Sequence, residues 1–334
     1  MAKKTKNFSA KLDFTVEMLP HDRKTQFFTV LRNRIPLLIK LGLITLAFFI
    51  PLILAGSYKT TVVYNFYKRF TAGEFDEKTL QSYLSYTDFI ASLAYIPCFL
   101  TGIIGICGVS RITHRLVFGE GVLFKQDFLL GIKQNAKQYL TFTLVYSCIY
   151  ALIRFALFYF NSNVAVTVTA FITAIAVLPY AVTSFVYGNV YTSVGAELLS
   201  NVFRAQIKSK FTAIWVSAII ALPPILISLF CSGYLYLFLS AVYAFILPLY
   251  SLTANSAFAN VFDQTFNLLN HPEIVKKGLY VSEKEKEIIR QTHLRLKNEV
   301  KEKGDKQNTN KGENSNARHN AKENSRNRLL YAAD

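Results

Sequence analysis

A chain of 334 residues with 52% hydrophobic and only 17% charged side chains, and a mean hydropathy of +0.27, excludes an ordinary soluble domain, where about a quarter of residues carry charge. The net charge of +16 would suggest a nucleic-acid binder in a soluble protein, but here the basic residues flank long uncharged stretches, so no nucleic-acid partner is expected. Cys98, Cys107, Cys148 and Cys231 lack paired spacing, which leaves no expectation of a disulfide framework, metal or other cofactor.

Residues 1–34 form a basic segment. The first apolar run begins near residue 35, is long enough to span and lacks a small-residue cleavage site, so it reads as a retained helix rather than a signal peptide. A bilayer core of about 30 Å needs roughly 20 mostly apolar residues in a helix, because lipid offers no partner to backbone polar groups. Six segments meet that condition, at 35–57, 87–109, 139–160, 164–187, 211–231 and 233–255, and together they define a transmembrane domain over 35–262. The fold class expected is all-α and polytopic, with six helices arranged as three hairpins.

Lys and Arg in alternate loops set the orientation. Residues 1–34 hold 8, 110–138 hold 5, and 188–210 hold 3, against 4 in the intervening loops, Lys59, Lys68, Arg69 and Lys78. Both termini are therefore expected in the cytoplasm of a cell-membrane protein. Tyr58, Tyr83, Tyr86, Tyr159 and Tyr234 fall at the outer span ends, and Tyr139 and Tyr187 at the inner ends, as expected of headgroup-level aromatic belts.

An internal repeat runs through the domain. Each odd-numbered span follows a basic amphipathic approach of shared spacing: Phe27, Leu31 and Arg32; Phe128, Ile132 and Lys133; Phe203, Ile207 and Lys208. Each even-numbered span carries a proline, Pro97, Pro179 or Pro248, followed by Thr101, Thr183, or Ser251 and Thr253. Proline removes a helix hydrogen bond and a nearby hydroxyl can re-satisfy the freed carbonyl, so these three are candidate hinges; the alternative is that membrane helices simply tolerate proline.

Ionisable groups are costly inside a bilayer and default to functional candidates. Lys40 lies within snorkelling reach of the inner interface. Arg154 lies about six residues, roughly 9 Å, from the outer end of the third span. Asp88 opens the second span on the same side, so the two are compatible in depth. They read as an intramembrane ion pair, or as a charge offered to an anionic ligand. Asn189, Asn255, Ser256 and Asn260 are placed to bond between helices at the inner ends. No catalytic residue is expected: the five histidines are isolated in cytoplasmic segments and no HExxH, CxxC or GxxxxGK[ST] pattern occurs.

Between the second and third spans, Gly119-Glu120-Gly121 breaks the helix. Phe124, Phe128 and Ile132 then recur at i, i+4 and i+8 with Lys125, Lys133 and Lys137 around them. That pattern is an interfacial amphipathic helix facing anionic inner-leaflet lipid, or a loop helix packed on protein. The stretch 95–140, with Pro97, Arg111, Arg115, Gly119-Glu120-Gly121, Phe124, Asp127-Phe128 and Gly131-Ile132-Lys133-x-Asn135, resembles the YesL-like family of bacterial membrane proteins, a domain of unknown function. The likeness extends more weakly over roughly 30–262. It implies a small helical membrane protein without established activity and with a membrane-protein partner such as a carbohydrate uptake system. The basic N-terminus and long tail depart from the shorter members.

Residues 263–303 read as a charged helical segment, in which Ser282 and Glu285 are spaced as a capping box and Ile289, Leu296 and Val300 make a narrow apolar seam. Residues 304–334 are almost free of apolar side chains and read as a disordered tail. The expected function is that of a non-enzymatic accessory or regulatory subunit of an uptake or envelope system. The competing expectation is a small-solute transporter or channel built from three hairpins.

Overall fold

The computed structural model describes residues 19–74, 76–160, 163–191, 196–209, 211–228 and 232–299, and among them no strand occurs. Helices α1 (Arg23–Asn33), α2 (Ile35–Thr71), α3 (Glu77–Val117), α4 (Phe124–Tyr159), α5 (Val164–Val190), α6 (Ala196–Ser209), α7 (Phe211–Ile227) and α8 (Gly233–Phe262) follow in chain order. Five helices are long and apolar enough to cross a membrane. A sixth crossing requires α6 and α7, bent by 97° at their junction, to count as one broken span. The protein is a polytopic all-α membrane protein, and the expected six crossings become five continuous helices plus the shorter α7.

The chain divides into two units, one of residues up to Thr265 with Lys276–Tyr280, the other of Phe266–Val275 and residues from Val281 onward. In the second, a helix over 283–299 starts at the expected capping box: Ser282 N–H donates to Glu285 Oε2 at 3.2 Å and Glu285 N–H to Ser282 Oγ at 3.3 Å. Val300 of the apolar seam and the tail 304–334 lie outside the described residues.

Within the first unit, the helices outrun the spans expected of them. At 37 and 41 residues, α2 and α3 measure about 55 and 60 Å by helical rise, well beyond a hydrocarbon core. The loop expected between them is therefore mostly a helical hairpin. Asp76 caps α3 by accepting from Thr79 N–H at 3.1 Å, and Phe66 stacks on Tyr83 at 5.2 Å, so the extension has its own local support.

The core lies where α2, α3, α4 and α8 meet at one end, called proximal here because it carries α1; the α2–α3 and α4–α5 turns mark the distal end. Leu41, Val109, Ile112, Phe128, Leu252 and Ala259 are buried together there. Close approach depends on glycine facing phenylalanine. A Cβ on Gly105 would meet the Phe48 ring at 2.8 Å, one on Gly102 the Phe49 ring at 3.0 Å, and one on Gly108 would overlap the Phe128 ring. Across the same seam a Cβ on Gly131 would stand 2.8 Å from the Cys107 carbonyl, so α3 and α4 cross nearly backbone to backbone. Small residues at an interface are what allow helices to associate in lipid, where burial from water supplies no drive.

Candidate functional site

Two polar constellations stand out, one at each end of the bundle. At the distal end, Arg154 of α4 places Nη1 3.2 Å from Asp88 Oδ2 and donates through Nε to the Tyr150 hydroxyl at 3.2 Å, with the guanidinium over the Tyr150 ring. Lys59 of α2 pairs with the other Asp88 oxygen. A pocket of about 210 Å³ opens beside this cluster, walled by Gln81, Ser85, Asp88, Arg154, Phe158 and Thr167 among others. The sequence brought Arg154 and Asp88 to compatible depths. Lys59, expected in the first outer loop, enters because α2 continues helically past it.

The partly enclosed ion pairs continue into a polar stripe along α4. Asn135, Tyr139, Thr143, Tyr146, Tyr150 and Arg154 recur every three or four residues, one face of a helix. Tyr146 shares a hydrogen bond with Ser184 at 2.8 Å, and Thr143 Oγ1 is buried without a partner among the described residues. No single hydroxyl in this stripe stands out in the sequence; the signal is their shared spacing along one helix face.

At the proximal end the stripe merges into a network joining α3, α4, α5 and α8. Tyr139 donates to the Phe185 carbonyl at 2.7 Å and accepts from Ser110 at 2.9 Å. Asn189 accepts from Asn135 at 3.1 Å and donates to the Ser110 carbonyl at 3.0 Å and to Asn255 Oδ1 at 3.2 Å. Asn255 in turn donates to Thr113 at 3.0 Å and to the Ser251 carbonyl at 2.9 Å. Asn189 and Asn255, expected to bond between helices, occupy its centre. Tyr139 and Tyr187, expected in an aromatic belt, are instead buried, 1% and 3% exposed: Tyr139 lies inside the network, and Tyr187 lies beside α6, where its hydroxyl accepts from Asn201 at 3.0 Å.

Beside the network lies a clamp that holds Lys276–Tyr280 against α1 and the α3–α4 turn. Arg23, 4% exposed, donates through Nη1 to the carbonyls of Val117 and Lys277, both at 2.8 Å. Its Nη2 stands 3.6 Å from Asp263, and its guanidinium lies 5.0 Å from the Phe118 ring centre. Gly119 and Gly278 both have positive φ, +66° and +83°, and a Cβ on Gly278 would fall 2.5 Å from the Phe118 carbonyl carbon. Only glycine meets both the backbone conformation and the contact at Gly278. Glu120 accepts from Lys277 at 2.7 Å and from Arg115 at 3.0 Å, and Arg115 also pairs with Asp127.

Burial alone would push the Glu120 carboxyl up, but the Lys277 ammonium and the Arg115 guanidinium outweigh it and hold it below the ordinary glutamate range. A carboxyl depressed on folding contributes stability above its ordinary range and loses it as pH falls through the lowered value. Hydrogen exchange at the Tyr280 amide, which donates to the Pro20 carbonyl at 2.9 Å, is expected to lose protection over that acidic window. Glu120→Gln should remove this pH dependence while lowering protection at neutral pH.

Pro97, Pro179 and Pro248 all lie inside continuous helices. The hydroxyls after them do not reach the carbonyls four residues before each proline: Thr101 bonds Cys98, Thr183 bonds Pro179 and Gln206, and Thr253 bonds Leu249. Ser251 joins the asparagine network. The expected amphipathic helix at Phe124, Phe128, Ile132 and Lys133 is the first part of α4, continuous with the span. Phe128 is buried against α3, with Phe124 and Ile132 packed around the same core, while Lys133 is exposed. Phe124, Phe128 and Ile132 pack on protein, and Gly108 leaves a seat for the Phe128 ring.

The three repeat motifs thus take three geometries. Phe27 and Leu31 pack on the core from the separate helix α1, and Phe128 and Ile132 from the root of α4. In α6, Val202, Ala205 and Ser209 face inward, while Phe203 and Ile207 stand 58% and 60% exposed. Comparison of the chain with protein-family models, with curated proteins and with the solved structures finds no match to any of the three.

Proposed function

We propose that this is a multi-pass protein of the cell membrane, with both termini in the cytoplasm, that works by interaction as an accessory or regulatory subunit of an uptake or envelope system. The observation that carries the reading is the clamp. Arg23, Glu120, Lys277 and Gly278 fix Lys276–Tyr280 at the proximal end, and the chain that follows directly in sequence is the charged helix over 283–299. The excess of Lys and Arg on this side supports its cytoplasmic placement. The α6 stripe, Leu199, Phe203 and Ile207 beside Arg204 and Lys208, is suited to anionic inner-leaflet lipid. A carbohydrate uptake system is the partner suggested by the YesL-like resemblance.

The reading is tested by crosslinking in native membranes, comparing the full chain with one ending at residue 281. A partner membrane protein recovered reproducibly with the full chain, and depleted several-fold with the shorter one, is the expected result. Recovery of the same background with both sinks the reading. The polar stripe along α4 favours a second one, a small-solute transporter or channel, for which flux through purified protein in liposomes is the direct measurement.

A further inference from the structure

The distal cluster is charged unevenly. Lys59 and Arg154 face a single carboxylate, Asp88, whose two oxygens are both engaged, one by each cation. Arg154 uses its fork only in part: Nη1 goes to Asp88 and Nε to Tyr150. Its Nη2 has no protein partner among the described residues and is not enclosed by protein. A guanidinium in such a setting favours a second, bidentate acceptor, because its donors are fixed in a plane that matches two oxygens of one group.

The pocket beside it supplies the rest of a binding site. Its wall carries the neutral polar side chains of Gln81, Ser85 and Thr167 alongside Arg154, with Phe158 as an apolar side. Thr167 lies in the first turn of α5, a 27-residue helix whose N-terminal dipole adds positive potential. The residues come from α3, α4 and α5, and their charged members are about one third exposed, so a ligand reaches them from the distal side while part of their hydration is already lost.

We infer that this pocket binds a small oxyanion group, a carboxylate or phosphate carrying one negative charge, through the open edge of Arg154, with Asp88 as the internal competitor that holds the guanidinium in place when the pocket is empty. Two sources share that chemistry: a soluble carboxylate or phosphate arriving from outside the bilayer, and the phosphate of a phospholipid headgroup at the distal surface.

The full chain in a neutral detergent is heated with inorganic phosphate, acetate or phosphatidylglycerol, each against sodium chloride at equal ionic strength. At least one of the three is expected to raise the unfolding midpoint by several degrees in a saturable way. A rise with phosphate or acetate assigns a soluble ligand; a rise with phosphatidylglycerol alone assigns the headgroup. Arg154→Gln should abolish the rise. Asp88→Asn should lower the half-saturating concentration roughly tenfold, since it removes a charged competitor for the guanidinium. That gain sets a ligand role apart from a purely structural pair, for which Asp88→Asn brings only loss. If Arg154→Gln does not fold, Arg154→Lys keeps the charge without the fork and should weaken binding several-fold. No rise with any probe overturns the inference, as does an equal rise in the Arg154 variants or a rise lost in Asp88→Asn.

Discussion

Arg23→Ala is expected to lower stability by about 3–5 kcal/mol, the range for removing one partner of a buried ion pair. The expectation is large because one guanidinium performs several tasks. It satisfies the carbonyls of Val117 and Lys277, supplies charge beside Asp263 and lies against Phe118, at a site closed to water. Burial is the main influence on this arginine and works against its charged form, with Asp263 opposing it. Thermal unfolding of the purified chain in detergent gives the global effect. Limited proteolysis gives the local one, with cleavage within 276–280 expected to rise before the spans unfold. A variant as stable as the parent, with 276–280 still protected, would refute the clamp.

The second large effect is at the α3–α4 crossing. Gly108→Ala places a methyl group in the volume of the Phe128 ring, and the ring has little room to yield because it lies within the buried core. The cost expected is about 1–3 kcal/mol, that of overpacking. Phe128→Ala alone should cost about 3–5 kcal/mol through the cavity it leaves. The double variant should be more stable than the sum of the two predicts, with a coupling on the order of 1–2 kcal/mol, because the alanine methyl partly fills the space the ring vacates. Additive effects would mean that the two residues do not share this contact. Gly121→Ala, where a Cβ meets nothing within 4 Å, serves as the control and should be neutral.

These two sites also mark what was readable in advance. Gly108, Phe128 and Arg115 lie in a stretch whose pattern was plain, yet the Phe124, Phe128 and Ile132 face had two equally consistent environments, lipid and protein. An apolar stripe reports that a face avoids water, and lipid and a glycine-lined groove both satisfy that condition. The three copies of the repeat make the same point. The same Phe and Leu or Ile pair is covered by protein in α1 and α4 and left exposed in α6, although the spacing is alike in all three.

The sequence by itself determined the all-α polytopic class, the positions of the apolar runs, the glycine break after α3, the capping box at Ser282 and the matching depths of Arg154 and Asp88. Each of these follows from local composition or from helical rise, which are properties of contiguous residues. Only the tertiary structure decided that Lys59 completes the distal cluster, that Tyr139 turns inward to the Asn189 and Asn255 network and Tyr187 to Asn201, and that Arg23 meets Asp263 and Lys277. Those contacts join residues up to about 250 positions apart, as between Arg23 and Lys277. Their energies depend on which surfaces the helices bring together, and no local pattern carries that information. The excess of one cation at Arg154 and Lys59 belongs to the same class: each charge was legible singly, and the free edge of the guanidinium became visible only once its partners were in place.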